Sequence, residues 1–269
     1  MNAPEKTSLE IIGLSVTYAG HGTHRRSVRA VRDCSFSVSR GETVGLVGES
    51  GSGKSSVLMS IPRLLPESAS VTGKIFCRGV EISSLSEAEM NRWRWRKIAI
   101  VPQGAMNSFT PHLTIGRHIT EVLEHHFKMP RHESEARAAE LVKTAGLNEN
   151  AVSRYPHEMS GGEKQRAALA AAIACEPDFL LADEPTTALD VITQKEVLET
   201  ITSLTRDRGM GVLLVTHDLP LASGSCDSLL VMRDGEIVER GPAREVTSRP
   251  KEPYTRMLTD AVRDMEKPR

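Results

Sequence analysis

The chain has 269 residues, of which 39% are hydrophobic and 26% are charged, and its formal net charge at pH 7 is −1. This length and composition allow a substantial core, so we expect a globular protein of one large or two modest domains. The near-neutral charge argues against non-specific nucleic-acid binding, for which an excess of Lys and Arg is typical. No run reaches membrane-span length and the first residues lack the apolar region of a signal peptide, so we expect a cytoplasmic protein.

Cysteine usage gives no sign of zinc or redox chemistry. The four cysteines, Cys34, Cys77, Cys175 and Cys226, are far apart and include no C-x-x-C pair. We therefore expect reduced, partly buried thiols.

Hydrophobic periodicity predicts an α/β protein with a helical insertion. In the first part of the chain we predict strands over residues 9–18, 30–38 and 43–47, a helix over 56–61, a hairpin within 71–82, a helix over 86–96 and a strand over 98–101. Helices over 114–128, 133–145 and 167–175 follow. The last part is predicted to contain a strand over 179–184, a helix after Asp190, a strand over 211–216, a hairpin over 229–241 and a helical tail from Pro242. The first strands predict an antiparallel sheet beside a nucleotide-binding core.

Residues 48–55 match the pattern G-x-x-x-x-G-K-[ST] between a predicted strand and a predicted helix. Glycines let successive backbone N–H groups point inward at a phosphate, while the helix that follows presents its positive end. Lys54 supplies a charge for the outer phosphates, and the Ser55 hydroxyl can ligate Mg²⁺. An octamer rich in Gly and Ser can also be a plain loop, but the flanking elements favour a phosphate-binding loop.

Polar side chains end two further predicted buried strands. Asp183 and Glu184 are adjacent carboxylates, which are costly at such a position unless they serve a cation or a proton transfer. Beside a phosphate loop, Asp183 suits the Mg²⁺ shell and Glu184 suits the polarisation of an attacking water. A solvated strand end is the alternative. His217 follows the next strand. A histidine at this position is as readily structural as functional.

Three weaker signals each have an ordinary structural explanation. Tyr18 ends the first strand and is either an edge aromatic or a ring on which an adenine stacks. Ser160, Gly161 and Gly162 precede a helix and form either a plain N-cap or an anion-binding cap. The cluster of bases and tryptophans over residues 92–97 could bind nucleic acid or a membrane, but a solvated face with packed rings is favoured.

Taken together and in this order, the segments resemble the ATP-binding cassette ATPases over about residues 9–241. The resemblance implies an α/β P-loop NTPase fold with a RecA-like parallel sheet core, an antiparallel β subdomain and a helical subdomain. We expect a nucleotide-binding domain over residues 1–245, with the helical subdomain at about 112–165, and a short helical tail over 246–269.

The family's motifs fall on specific residues of this chain, and the resemblance implies their roles. For ATP binding, they are Tyr18, which stacks on the adenine, the Walker A residues Gly48, Glu49, Ser50, Gly51, Ser52, Gly53, Lys54 and Ser55, and the adjoining Ser56. For hydrolysis, they are Gln103 in the Q-loop, Asp183 and the catalytic Glu184 in Walker B, and His217 as the switch histidine. The signature consists of Ser160, Gly161, Gly162 and Glu163, and Asp190 lies in the D-loop.

The family resemblance further implies ATP as the nucleotide and Mg²⁺ as the metal cofactor, the latter held by Ser55, Gln103 and Asp183. Two such domains bind head to tail, and each ATP lies between Walker A of one and the signature of the other. The signature departs from the usual pattern, with Met159 where Leu is common and Glu163 where Gln is common. We expect Glu163 to be tolerated, although a carboxylate near a triphosphate could weaken the partner's ATP site.

Three segments, residues 102–111, 155–158 and 253–255, resemble importers of oligopeptides, dipeptides, nickel and metal-opine complexes. That resemblance implies two transmembrane permease subunits, a second and different ATPase subunit, an extracytoplasmic solute-binding protein, no nucleic acid, and a peripheral position on the cytoplasmic face of the inner membrane. The alternatives are a soluble ATPase acting on ribosomes or DNA, a non-hydrolysing partner in a heterodimer, and an exporter ATPase.

Overall fold

The computed structural model describes residues 8–20 and 27–266, with side chains described up to residue 261. Residues 1–7, 21–26 and 267–269 of the predicted domain and tail lie outside this description. The described residues form two compact units. The first contains the residues up to Met90 and from Gly211 onward, and the second is Asn91–Met210.

Strands and helices alternate along most of the described chain. The strands are β1 (Ser8–Tyr18), β2 (Val28–Ser39), β3 (Thr43–Val47), β4 (Ala69–Cys77), β5 (Val80–Glu81), β6 (Ile98–Val101), β7 (Phe179–Asp183), β8 (Gly211–Thr216), β9 (Ser228–Arg233) and β10 (Glu236–Pro242). The helices are α1 (Lys54–Ser60), α2 (Glu87–Trp93), α3 (Ile115–Phe127), α4 (Arg131–Thr144), α5 (Gly161–Ala172), α6 (Val191–Arg208), α7 (Leu219–Ser225), α8 (Ala243–Ser248) and α9 (Pro253–Glu266).

The first unit contains antiparallel and parallel pairing. β1 lies between β2 and β4 and is antiparallel to both, and β5 pairs antiparallel with β4 at the edge of this sheet. β3 lies between β8 and β9 and is parallel to both, whereas β10 is antiparallel to β9. β3 and β8 are buried along their whole length, as expected for apolar runs covered on both faces of a parallel sheet. Val47 pairs with Thr216, so β3 and β8 end at the same edge.

The second unit contains a parallel pair of strands and four helices. β6 pairs with β7 in a register that places Val101 beside Ala182, so the residues that follow both strands emerge together. α3 begins at a Thr114 cap, whose hydroxyl accepts a hydrogen bond from the Arg117 N–H at 3.2 Å. α5 is rich in alanine, which allows close packing with its neighbours, and its Leu169 side chain is fully buried.

The predicted fold class is confirmed. The sequence prediction missed α7 between β8 and β9, and the other differences described here lie at the ends of elements. The helix predicted over residues 86–96 ends at Trp93, because Trp95 takes a left-handed backbone conformation with φ 67°. The helix predicted to begin at residue 167 begins at Gly161, since the Ser160 cap starts it six residues earlier. The hairpin predicted over residues 229–241 is formed by β9 and β10, which are joined by a turn at Asp234 and Gly235, both with positive φ.

Two further expectations can be compared with the described residues. The four cysteines are free, as predicted, and burial raises the pKa of the Cys226 thiol to about 12 and that of Cys175 to about 11. These thiols are therefore poor nucleophiles. Within the described ranges, every helix is too short or too polar to cross a membrane.

Candidate active site

The Walker A loop, residues 48–55, connects β3 to α1 in the first unit and wraps around the ammonium group of Lys54. The Lys54 side chain is buried, and its Nζ donates hydrogen bonds to the carbonyl oxygens of Gly48 at 2.8 Å and Glu49 at 2.7 Å. The Ser52 hydroxyl also accepts from Nζ, at 3.4 Å. The loop therefore holds a positive charge at its centre, where it can meet a phosphate.

Two glycines of this loop stand where no other residue fits. At Gly53, φ is 105° and an added Cβ would lie 2.2 Å from the carbonyl oxygen of Ala30. At Gly48, an added Cβ would lie 2.2 Å from the carbonyl oxygen of Met232. Backbone atoms of β2 and β9 thus press against the loop from outside. This close approach explains both glycines of the pattern.

Two other predicted site residues of the first unit lie near this loop. The Tyr18 hydroxyl is 3.0 Å from the Ser56 hydroxyl, which places the end of β1 beside the first turn of α1. His217 is exposed and directly follows β8. Because β8 and β3 end at the same edge, His217 emerges beside the start of the Walker A loop.

In the second unit, the structure holds the Glu184 carboxylate in a fixed orientation. The Glu184 Oε2 atom accepts hydrogen bonds from Gln103 Nε2 at 3.1 Å and from Thr187 Oγ1 at 2.8 Å. Glu184 has φ 47°, a conformation that is uncommon outside glycine and is often found at functional sites. The preceding Asp183 is the last residue of β7 and is only 4% exposed. The two adjacent carboxylates therefore occupy different environments.

The signature segment begins α5 with a reciprocal cap. Ser160 Oγ accepts a hydrogen bond from the Glu163 N–H at 3.3 Å, and Glu163 Oε2 accepts one from the Ser160 N–H at 2.8 Å. This capping box satisfies two backbone donors at the start of the helix. Glu163, the residue that departs from the usual family pattern, is thus part of the cap.

Arg154 neutralises the charge of Glu163. The Arg154 Nη1 atom lies 2.6 Å from Glu163 Oε1, and Nη2 also donates to the Glu158 carbonyl oxygen. These contacts, chiefly the hydrogen bond from Arg154, lower the pKa of the Glu163 carboxyl to about 2. The carboxylate therefore stays ionised but is paired within its own unit. The expectation that Glu163 is tolerated stays a prediction, and this pairing gives a physical reason for it.

Asp190 caps α6 at the predicted D-loop. Its Oδ1 atom accepts from the N–H groups of Ile192 and Thr193, both at 3.1 Å, and its Oδ2 atom accepts from the Thr193 hydroxyl at 2.7 Å. The bond from the Thr193 hydroxyl is the main cause that lowers the pKa of the Asp190 carboxyl. The sequence position of Asp190 thus has a clear local role in starting the helix.

The basic cluster at residues 92–97 makes contacts within its own chain. Arg94 donates to Asn91 at 2.6 Å, Lys97 lies 3.2 Å from Asp178, and the Arg96 guanidinium lies 5.2 Å from the centre of the Phe127 ring. These contacts pair three of the basic groups within the chain, and the interpretation of a solvated face with packed rings stays a prediction.

Sequence reasoning missed three residues that the structure places against predicted site residues. Thr187 orients Glu184 and lies three positions after it, so local spacing could have indicated it. Arg154 pairs with Glu163 across nine positions. Tyr254 contacts the Walker A residue Glu49 from 205 positions away, and no local pattern indicates such a contact.

Comparison with known proteins gives one consistent family. Residues 31–187 match the ABC transporter family. A probable peptide ABC transporter ATP-binding protein of Sinorhizobium fredii is 41% identical over 245 residues, which cover 90% of this chain and 73% of that protein. An oligopeptide transport ATP-binding protein of Salmonella typhimurium is 38% identical over 261 residues, which cover 96% of this chain and 77% of that protein. A probable D,D-dipeptide transport ATP-binding protein of Escherichia coli is also 38% identical, covering 92% and 76%.

Solved structures agree with this family. The dimeric structure of an ATP-binding cassette in a post-hydrolysis state, bound to ADP and Pi, has a TM-score of 0.77 and is 30% identical; the match covers 88% of this chain and 99% of that one. A dimeric bacterial ABC transporter cassette gives the same TM-score and coverage at 29% identity. The chain therefore belongs to the ABC transporter family, as one of its nucleotide-binding, ATP-hydrolysing cassettes.

Proposed function

We propose that this chain hydrolyses ATP to power a membrane importer of peptides. The observation that carries the peptide assignment is the similarity, at 38–41% identity over 90% or more of the chain, to ATP-binding proteins named for peptide, oligopeptide and dipeptide transport. The buried Lys54 and the oriented Glu184 support turnover, because a non-hydrolysing partner has no need of a positioned carboxylate.

The proposed chemistry depends on positioning and electrostatics. Lys54 and the amides of the Walker A loop bind the phosphates, and Tyr18 stacks on the adenine. Glu184 orients the attacking water and accepts its proton, with Gln103 and Thr187 fixing the direction of the carboxylate. Such preorganised contacts are the main source of catalysis in phosphoryl transfer.

The remaining predicted residues act on the γ-phosphate and on the partner's nucleotide. His217 contacts the γ-phosphate. Ser160, Gly161 and Gly162 contact the ATP bound by a second cassette, and Asp190 lies in the D-loop that faces this cassette. The capping box leaves the first turn of α5 well ordered for this task.

The residues proposed for Mg²⁺ fit that ion. Among the residues that the structure describes, no cluster of three His, Cys, Asp or Glu side chains could hold a metal by itself. Mg²⁺ in phosphoryl-transfer sites instead takes one or two protein oxygens together with phosphate oxygens. Ser55, Asp183 and Gln103 supply a hydroxyl, a carboxylate and an amide oxygen, and Gln103 uses its nitrogen for Glu184. When bound, Mg²⁺ neutralises phosphate charge.

The proposed partners follow from the transporter family. They are two transmembrane permease subunits, a second and related ATPase chain, and an extracytoplasmic solute-binding protein that acts through the permeases. The ATPase then lies on the cytoplasmic face of the inner membrane. Peptides are the proposed cargo, and nickel or metal-opine complexes are the other substrates of the resembled subfamily.

Purification from native membranes tests this assignment. The tagged chain is isolated in mild detergent, and the proteins that accompany it are identified by mass spectrometry; an untagged strain serves as the control. We expect two membrane subunits and a second ATPase in comparable amounts. Ribosomal proteins or DNA-bound partners without any membrane protein would refute the importer assignment and favour the soluble alternative.

A further inference from the structure

The C-terminal helix α9 makes direct contact with the Walker A loop in the first unit. The Tyr254 hydroxyl accepts a hydrogen bond from the backbone N–H of Glu49 at 3.1 Å. Tyr254 is 6% exposed, whereas Glu49 is exposed. A residue from the end of the chain thus takes one of the backbone donors of the phosphate-binding loop.

The peptide bond between Gly48 and Glu49 is held from both sides. In a trans peptide the C=O and the N–H point in opposite directions. The Gly48 carbonyl oxygen accepts from Lys54 Nζ at 2.8 Å, and the Glu49 N–H donates to Tyr254. Tyr254 and Lys54 therefore bind opposite edges of the same peptide plane. Rotation of this plane would break both hydrogen bonds and remove one of the acceptors that hold the Lys54 ammonium group.

Tyr254 itself is fixed by its surroundings. Its ring packs in a cluster of buried residues that includes Val47, the last residue of β3, and Val246 of α8. The Arg233 guanidinium lies 4.9 Å from the ring centre. The Glu239 carboxylate accepts from the N–H groups just before α9, at 2.8 Å and 3.0 Å, and so holds the start of the helix.

The turn between β9 and β10 supports the same loop from outside. The Gly235 N–H donates to the Ser52 carbonyl oxygen at 3.0 Å. The outward-facing backbone groups of Glu49 and Ser52 are thus bound by other segments of the unit. Binding these groups fixes the shape of the loop before a phosphate arrives, which reduces the entropy lost on binding.

We propose that Tyr254 is a positioning residue for the nucleotide, through which α9 sets the affinity of the Walker A loop for ATP. The inference rests on the proposed function, since it concerns the same ATP site. Tyr254 does not touch the nucleotide. It holds the peptide plane that places the Lys54 ammonium, so loss of its hydroxyl weakens phosphate binding.

The test is the affinity of the full-length chain for ATP, measured by isothermal titration calorimetry in the Glu184→Gln background to prevent hydrolysis. Tyr254→Phe keeps the ring and its packing but removes the hydrogen-bond acceptor. We expect the dissociation constant to rise about two- to tenfold, the usual range for one neutral hydrogen bond. Hydrogen exchange at the Glu49 amide should accelerate in the same variant.

Two control variants separate positioning from general stability. Met257→Ala changes an exposed residue of α9 and should leave both affinity and thermal midpoint unchanged. Ile82→Val removes one methyl group from a fully buried residue of the first unit that lies outside the cluster around Tyr254, and it should lower the thermal midpoint without changing the affinity. Loss of affinity in Ile82→Val as large as that in Tyr254→Phe would overturn the proposal, because the effect would then follow stability.

The two hypotheses fail in different ways. If the Glu184→Gln chain with native Tyr254 does not bind ATP, the proposed function is wrong. If it binds ATP and Tyr254→Phe binds it equally well, the positioning role is wrong and the proposed function stands.

Discussion

The second glycine of the signature gives a sharp test of how α5 packs on α6 in the second unit. An added Cβ at Gly162 would lie 1.9 Å from Thr193 Cγ2, a separation that folded proteins do not tolerate. Thr193 cannot easily turn away, because its hydroxyl and its N–H both bind Asp190. The first turn of α6 must therefore move to accommodate Gly162→Ala.

We expect Gly162→Ala to lower the free energy of unfolding by about 1–3 kcal/mol, the usual cost of overpacking. Thr193→Ser removes Cγ2 and keeps the hydroxyl that binds Asp190. The nearest remaining atoms, Thr193 Cβ and Oγ1, would lie 3.3 Å and 3.5 Å from the new methyl group. In the Thr193→Ser background, Gly162→Ala should therefore cost less than about 1 kcal/mol.

Urea denaturation of the four proteins measures this coupling. Gly161→Ala is the matched control, because its nearest neighbour, Leu189 Cδ2, would lie 3.4 Å away, which is an ordinary contact. Gly161→Ala should lower the free energy of unfolding much less than Gly162→Ala does. The reasoning is refuted if Gly162→Ala lowers the free energy of unfolding equally in the native chain and in the Thr193→Ser background.

Three further predictions concern local contacts. Arg154→Gln should lower the free energy of unfolding at pH 7 by about 1 kcal/mol, because it removes the cation that pairs with the Glu163 carboxylate. Urea denaturation measures this change, and Glu163→Gln in the Arg154→Gln background should recover part of the lost stability. Since the pKa of Glu163 is lowered to about 2, the stabilising effect of Arg154 should be complete above about pH 4.5 and disappear as the pH falls towards 2, so an unchanged difference at pH 2.5 would contradict it. Asp190→Ala should lower the thermal midpoint by removing a helix cap worth about 1 kcal/mol, and Asp190→Asn should retain most of that stability. Gly53→Ala should abolish ATP binding in calorimetry, because its Cβ would meet the Ala30 carbonyl oxygen; retained binding would show that the loop can relax.

Much of the fold could be predicted from the sequence, because its strongest signals are local. The apolar runs of β3, β7 and β8 are short, continuous and bounded by polar residues, and each forms a buried strand. The turn at Asp234 and Gly235 follows from the preference of this pair for positive φ.

The features missed from the sequence depend on a local backbone conformation or on side chains that meet only after folding. The end of α2 at Trp93 follows from the left-handed Trp95, and no breaker residue in the sequence marks it. The capping box at Ser160 has a readable pattern, with Glu three positions later, yet the partner of that carboxylate, Arg154, lies six positions before the cap residue Ser160. Tyr254 and Glu49 are joined only by the tertiary structure.

The role of Glu184 can be measured directly in the importer purified from native membranes. ATP hydrolysis by the complex is compared for the native chain, for Glu184→Gln and for Glu199→Gln. Glu199 is an exposed surface residue paired with Lys195, so its replacement controls for the loss of one carboxylate. We predict that Glu184→Gln lowers the turnover rate by about 10²- to 10⁴-fold, the usual contribution of a positioned base, with ATP affinity within about twofold of native. Glu199→Gln should leave both values unchanged. An undiminished rate in Glu184→Gln would contradict the assignment of Glu184 as the residue that activates water.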